Sequence, residues 1–309
     1  MSNETMQAAR IDDYGGPERI IIERVPRPEP KADQVLVRLK AAGVNPADWK
    51  MRDGFYKQFM PLAFPWIPGL EGAGIVEAVG SDVTTLKPGQ AVYGPITNSY
   101  AEYAVATATD LFAKPERLTV EEAATVPVGA LTAWGAVVDA ANVQQGQRVL
   151  VHGAAGGVGL YAVQLARWKG ARVIGTSSAD NSKFVRSLGA EEAIDYNAVP
   201  FETVVRDVDV VVDTVGGEVT ERSWQVLRPN GILVTVAGRL TPEAGQVHGV
   251  RATSAGRASP DTLNQISELL EAKQLTTAVG ARFALAEARQ AQELSQAGHG
   301  RGRIILVTA

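Results

Sequence analysis

Residues 153–159 read Gly153-Ala154-Ala155-Gly156-Gly157-Val158-Gly159. They stand between an apolar run, Arg148-Val149-Leu150-Val151, and an amphipathic stretch that continues to Lys169. This order predicts a strand, a tight glycine turn and a helix. Small residues suit such a turn because the chain reverses sharply, a diphosphate approaches bare backbone, and the helix packs closely on its strand. The helix N-terminus then offers unpaired N–H groups and the positive end of its dipole to the phosphate. A second apolar run, Ala171-Arg172-Val173-Ile174-Gly175, follows directly after the helix-ending Gly170 and completes the βαβ context of a dinucleotide site. On the G-x-G-x-x-G pattern, Ala154 takes the first place and Gly156 and Gly159 the others, with Gly157 and Val158 between them. These five residues are the candidate phosphate contacts.

Outward from this turn the texture of the chain changes. From about residue 123 strands and helices alternate, with strands expected at 148–152, 172–176, 208–213 and 232–237 and a weaker one near 247–253. Their nearly continuous Val and Ile suit a parallel sheet buried on both faces. Before residue 122 the apolar runs are short (34–40, 74–79, 90–93 and 100–106) and separated by Pro and Gly, as in a compact, mostly β domain. Ser259-Pro260 reads as an N-cap followed by proline in a first helical turn, and Leu263, Ile266, Leu269 and Leu270 line one face of the helix it opens. The final run, Arg303-Ile304-Ile305-Leu306-Val307, has no parallel crossover of its own and is expected to return to the first domain. The fold class is α/β: a mostly β domain with a doubly wound parallel-sheet domain.

With 309 residues, 45% hydrophobic content and a net charge of −4, the chain is long enough for two cores and too weakly charged for nucleic acid as its main partner. No apolar run approaches the ~18 residues of a membrane helix. The stretch MSNETMQAARIDD has neither a secretory core nor a transit-peptide character, so the expected location is the cytoplasm. The absence of cysteine excludes disulfides, thiolate nucleophiles and Cys-ligated metal centres. His152, His248 and His299 are too scattered to suggest a metal site.

Five motifs stand in register along nearly the whole chain: Gly43-Val44-Asn45-Pro46-Ala47-Asp48, Pro68-Gly69-Leu70-Glu71-Gly72-Ala73-Gly74, Leu86-Lys87-Pro88-Gly89, Ala123-Ala124-Thr125-Val126-Pro127 and the glycine turn. In order and spacing they resemble the medium-chain dehydrogenase/reductase superfamily, and within it the zinc-free quinone oxidoreductase and enone reductase branch. The resemblance implies a GroES-like catalytic domain over 1–122, completed by 259–309, and a Rossmann domain over 123–258, with the cofactor in the cleft between them. At the positions where zinc-dependent members place Cys, His and Cys, this chain has Asn45, Leu70 and Val128. A carboxamide and two aliphatic groups do not hold Zn²⁺. Without a Lewis acid an unactivated ketone is a poor acceptor. A quinone or enone delocalises the charge left by hydride addition, and hydrogen-bond donors suffice for the enolate oxygen.

An NAD-selective site has an Asp or Glu at the end of the second Rossmann strand to accept from the ribose 2′-hydroxyl. Here that strand ends Gly175-Thr176-Ser177-Ser178, and Ser177 stands at the position of the acid. With two hydroxyls and Lys183 close by, NADPH is favoured, although Asp180 is also near. The resemblance puts Lys183 and Tyr196 around the adenosine phosphate. Thr176, Ser177, Ser178, Lys183 and Tyr196 are therefore candidate cofactor contacts.

For the chemistry, Asn45 is expected beside the nicotinamide, its amide holding a ribose hydroxyl or the substrate carbonyl. Many quinone oxidoreductases have Tyr two residues after the Asp of this motif; this chain has Lys50, as enone and alkenal reductases do. Lys50 is the candidate donor to the enolate oxygen, against the plainer role of a surface ammonium. Tyr93 is a candidate wall of the acceptor site. The expected function is an NADPH-dependent reductase of a quinone, an enone or an alkenal. A dinucleotide-binding structural or sensory protein with little turnover, and an enoyl reductase for a carrier-bound acyl group, are the alternatives. The resemblance also implies a homodimer joined at the stretch 247–253, because an exposed parallel-sheet edge needs cover.

Overall fold

The computed structural model of the chain describes residues 4–298 and 300–308, so His299 and the first three residues of the N-terminal stretch lie outside it. Its contacts divide it into two units. The first comprises Met1–Val128, Pro260–Glu271 and Ala278–Ala309, and the second Gly129–Ser259 and Ala272–Thr277.

In chain order the strands are β1 (Thr5–Arg10), β2 (Ile21–Pro26), β3 (Gln34–Val44), β4 (Glu71–Val79), β5 (Ala91–Pro95), β6 (Tyr103–Thr107), β7 (Phe112–Ala113), β8 (Arg148–His152), β9 (Arg172–Ser177), β10 (Glu192–Asp195), β11 (Val208–Asp213), β12 (Leu227–Thr235), β13 (Arg251–Ser254), β14 (Val279–Ala284) and β15 (Arg303–Val307).

In the first unit β1 and β2 form a two-stranded antiparallel pair, and a larger sheet has the order β14-β15-β3-β4-β5-β7 with β6 also on β3. Val35, Val37, Leu39, Val76, Val92 and Ile96 pack as its core. The last strand, β15, pairs antiparallel with β3, Ile304 opposite Val44 and Val307 opposite Ala41. The sheet is thus completed from the far end of the chain. A helix at Pro46–Arg52 follows β3 directly.

The second unit is a six-stranded parallel sheet in the order β10-β9-β8-β11-β12-β13. Val149, Leu150, Val151, Val210, Val211 and Val212 of its central strands are buried, as strands covered on both faces require. Strand order reverses between β8 and β11, and such a switch point opens a crevice at the C-terminal ends of the strands.

The expected elements differ in four places. The final strand does have a parallel crossover of its own: β14 pairs parallel with β15, and the helix Ala288–Ala297 joins them. The weak strand at 247–253 shrinks to β13, because a helix at Pro242–Gln246 and a turn precede it, the turn held by His248 N–H to Gly245 O and Gly249 N–H to Gln246 O. β12 stops at Thr235: the Val236 N–H makes a last ladder bond, to Asp213 O on β11, and the Ala237 N–H turns back to Thr235 Oγ1. The helix read from Ser259-Pro260 begins at Thr262, because the Leu263 and Asn264 N–H groups close a separate turn on Pro260 O and Asp261 O. Leu263, Ile266, Leu269 and Leu270 are all buried, as their spacing predicts. Among the described residues no helix is long and apolar enough to cross a membrane.

Candidate functional site

In the second unit the glycine turn joins β8 to the helix Gly159–Trp168. Gly153 has φ +64°, and a Cβ there would come within 2.6 Å of Thr214 Oγ1; both facts require glycine. A Cβ on Gly159 would overlap the Gly153 carbonyl oxygen. Ala154 is accommodated at the first motif place because its Cβ faces Gly175 of β9, where a side chain would come within 2.8 Å of it. Its N–H donates to Thr176 O at 3.0 Å, which ties the turn to β9. The result is a bare-backbone cradle at a helix N-terminus, which fits a diphosphate.

Thr176 and Ser177 are both buried. Thr176 Oγ1 lies 3.1 Å from His152 Nδ1 and accepts from the Gly153 N–H, so Thr176 braces the turn from beneath. The Ser177 hydroxyl donates to Ser178 O at 3.0 Å, and Asn181 Nδ2 donates to Ser178 Oγ at 3.0 Å. Lys183 is exposed on the next helix, Ser182–Ser187. Tyr196 is 46% exposed, and its N–H donates to Ser177 O at 3.2 Å. No carboxylate belongs to the end of β9 itself; Asp180 is exposed in the turn that follows.

Two buried groups of this unit escape a sequence reading. His152 sits between Thr176 and Ser223, its Nε2 3.0 Å from Ser223 Oγ. Burial holds the imidazole neutral, with its pKa pulled down to about 4. Asp213, at the end of β11, accepts from the Val215 and Gly216 N–H groups, each at 2.9 Å, and from the Thr220 hydroxyl. It thereby fixes Gly216 and Gly217, both at positive φ. An acid closing an apolar strand ahead of Gly-Gly was the available signal for Asp213.

In the first unit Asn45 caps the helix Pro46–Arg52 and is buried. Its N–H donates to Asp48 Oδ2 at 2.8 Å, and its Nδ2 donates to Glu71 Oε1 at 2.8 Å. The Arg303 guanidinium donates to Asn45 Oδ1 at 2.8 Å and to Glu71 Oε1, while the Val128 N–H donates to Glu71 Oε2 at 2.7 Å. Both ends of the Asn45 amide are therefore bonded within this unit. These bonds fix the orientation of the amide, whose oxygen keeps a second lone pair. Arg303 was illegible in sequence, because a cation opening an apolar strand usually faces solvent.

Asp48 is fully buried, and the Tyr100 hydroxyl donates to its Oδ2 at 2.9 Å. Desolvation raises its carboxyl pKa to about 7, against the lowering effect of the Asn45 N–H and the Tyr100 hydroxyl. Burial and Asp48 together push the Tyr100 phenol well above its ordinary value. At the other end of the helix, buried Arg52 donates to Gln292 Oε1 at 2.6 Å and to Gly15 O at 3.0 Å. The helix that carries Lys50 is thus pinned at both ends. Lys50 is half-buried, its Nζ 5.5 Å from the Trp49 ring and 5.9 Å from the Phe55 ring. Tyr93 is fully buried, with its hydroxyl 2.7 Å from Ser267 Oγ. It is a core residue and not the expected wall of an acceptor site, because its polar end is already satisfied inside the unit.

Residues 31–116 match the alcohol dehydrogenase GroES-like domain family, and residues 188–306 match the zinc-binding dehydrogenase family. The quinone oxidoreductase of Coxiella burnetii is 33% identical, with a TM-score of 0.90 over 99% of this chain and 100% of that one. The chain belongs to the quinone oxidoreductase branch of the medium-chain dehydrogenases/reductases. It is an oxidoreductase of that family. It is also 38% identical over 251 residues to 2-methylene-furan-3-one reductase of Solanum lycopersicum, covering 77% of this chain and 63% of the relative. A mycobacterial protein solved in complex with NADPH is 29% identical, with a TM-score of 0.89 over 98% of this chain and 99% of that one.

The name of the matched zinc-binding family implies a metal, and the donors do not fit one. Asn45 spends its amide on Arg303 and Glu71, and Leu70 and Val128 are aliphatic. Zn²⁺ takes thiolate, imidazole or carboxylate. Among the described residues no three His, Asp or Glu side chains gather into a metal-holding group.

Proposed function

We propose that this quinone oxidoreductase relative is a zinc-independent, NADPH-dependent reductase that delivers hydride to a quinone or to the β-carbon of an α,β-unsaturated carbonyl compound. The observation that carries the cofactor choice is the end of β9, where a buried Ser177 stands in place of an acid and Lys183 is exposed on the following helix. β9 itself ends without a carboxylate that would repel a 2′-phosphate, and the Lys183 ammonium is available to pair with it against the nearby Asp180 and Asp195, the latter opposite Ser177 on β10. The glycine turn takes the diphosphate, with Gly156, Gly157, Val158 and Gly159 as its contacts, and Ser178 and Tyr196 flank the adenosine phosphate. The NADPH-bound mycobacterial neighbour supports the same choice.

NADPH, when bound, supplies the hydride. The chain's own contribution is at the acceptor. Lys50 donates to the carbonyl oxygen as charge develops there, and the pinned helix Pro46–Arg52 keeps its ammonium in place between aromatic rings. The likeness to a furanone reductase supports a conjugated acceptor. We also read the protein as a homodimer joined along β13, the outer strand beyond β12, since an uncovered parallel edge invites pairing. Light scattering tests the dimer. NADPH oxidation with a quinone, an enal and a saturated aldehyde tests the reaction: turnover on the first two and not the third is expected, and turnover on none overturns it.

A further inference from the structure

His152 closes β8 directly before the glycine turn, and its ring is buried. Its Nε2 lies 3.0 Å from Ser223 Oγ on the helix Glu218–Ser223, and its Nδ1 lies 3.1 Å from Thr176 Oγ1 on β9. The tautomer follows from these partners. Ser223 has one hydroxyl proton and donates it to Val219 O at 2.6 Å, so its oxygen accepts from the ring, and Nε2 carries the imidazole proton. The ring is neutral, because burial together with Arg222 outweighs the Asp213 and Glu202 carboxylates that would charge it. A neutral imidazole has one donor and one acceptor, so Nδ1 accepts from the Thr176 hydroxyl. The lone pairs of that hydroxyl are then left for the Gly153 N–H, which reaches it at 3.3 Å. Phe201 packs edge-on against the imidazole, with ring centroids 4.4 Å apart, and holds its plane.

This chain of bonds ends in the glycine turn. Three N–H groups of the turn are tied down: that of Gly153 to Thr176 Oγ1, that of Ala154 to Thr176 O and that of Gly156 to Gly153 O. Those of Ala155, Gly157, Val158 and Gly159 have no acceptor among the described residues and are left for a ligand. We propose that His152 is a positioning residue for the cofactor's diphosphate: as the Nε2–H tautomer it accepts the Thr176 hydroxyl, turns the lone pairs of that oxygen to Gly153 and keeps the turn in the conformation that takes the phosphates. This rests on the reading of the turn as the diphosphate site. With the proton on Nδ1 the Thr176 hydroxyl would lose its acceptor, and an unpaired buried hydroxyl favours a different arrangement of the turn. A turn that holds its binding conformation only about a tenth of the time binds its ligand about tenfold more weakly.

Nitrogen NMR of protein carrying isotope-labelled histidine reads the tautomer at neutral pH, with His152→Asn assigning the signal; a proton on Nε2 is expected. His152→Asn retains an oxygen where Nδ1 stands and loses the group that faces Ser223. His152→Gln reaches Ser223 and loses the acceptor for Thr176. In calorimetric titration NADP⁺ is expected to bind His152→Gln and Thr176→Val about tenfold more weakly than the wild type, and His152→Asn within about twofold of it, since one lost buried hydrogen-bond partner has an effect of that size. Urea titration without cofactor separates this from a purely structural role, in which affinity would follow stability through all three variants. Thr176→Val keeps the shape of its side chain and reads the same contact should a His152 variant fail to fold. A ring protonated at Nδ1, undiminished affinity in Thr176→Val, or equal losses in His152→Asn and His152→Gln overturns the inference and leaves the cofactor site standing. Wild-type protein that binds neither NADP⁺ nor NADPH overturns the reading of the turn, and the inference with it.

Discussion

The Arg303 guanidinium donates to Asn45 Oδ1 at 2.8 Å across 258 positions of the chain, and the same group meets Glu71. Both ionic partners are buried, 3% and 0% exposed. A buried pair of this kind gives little net stability over an apolar pair, but breaking it leaves a charge uncompensated. Arg303→Met is therefore expected to lower the unfolding free energy by about 3 to 5 kcal/mol in urea titration. Combining it with Glu71→Gln is expected to cost less than the sum of the two single variants. A single variant as stable as the wild type would show the charge to be solvated.

For the cofactor, NADPH is expected to bind more tightly than NADH. A charge-assisted phosphate contact contributes about 1.5 to 3 kcal/mol, so Lys183→Ala is expected to erase a preference of roughly tenfold or more. Equal dissociation constants for the two reduced cofactors in the wild type would contradict the role given to Ser177 and Lys183.

Lys50→Met is expected to lower enone turnover by about 100-fold or more while changing NADPH affinity little, because the lost contact exists only once charge has formed on the acceptor oxygen. A quinone is expected to suffer less, since its aromatising product spreads the charge. Near-wild-type turnover on both acceptors would return Lys50 to the surface.

Asp48 sets a pH dependence of stability. Its folded pKa of about 7 lies above its ordinary value of 3.8, so the folded protein holds a proton there that the unfolded chain releases. The contribution is fully present below the unfolded pKa and is lost as pH rises through the folded one. Wild-type stability is expected to fall between these limits relative to Asp48→Asn, by at most about 1.4 kcal/mol per pH unit. Asn keeps an acceptor for the Asn45 N–H and the Tyr100 hydroxyl but does not ionise. Parallel pH profiles in chemical denaturation would place the folded pKa of Asp48 near its ordinary value.

Elemental analysis of the purified protein is expected to find no stoichiometric zinc, and prolonged chelation to leave activity unchanged. One equivalent of zinc would require a donor set that Asn45, Leu70 and Val128 do not supply.

How much of this was legible from the sequence varies by element. The β8–glycine turn–β9 unit was readable in full because its determinants are local: Gly153 and Gly159 are demanded by the backbone itself, and strands buried on both faces announce themselves by unbroken Val and Ile. The weak strand before β13 was not, since His248 and Gly249 close a turn that hydropathy cannot distinguish from an extended run. Tyr93 and Asn45 show the same limit at the candidate site. An aromatic in an apolar run and an amide in a glycine-rich motif look available for a ligand. Ser267, Glu71 and Arg303 bond to them from 174, 26 and 258 positions away.

By itself, then, the sequence determined the α/β class, the family, the phosphate cradle and the absence of thiolate ligands, all set by residue type and short-range spacing. Only the tertiary structure decided which polar groups are already paired, that Asp48 is a desolvated carboxyl, and that Phe55, Phe59 and Met60 face outward. Burial and pairing depend on what the folded chain brings from far away, and no local pattern encodes the environment that decides a side chain's charge, its free hydrogen bonds or its contact with water.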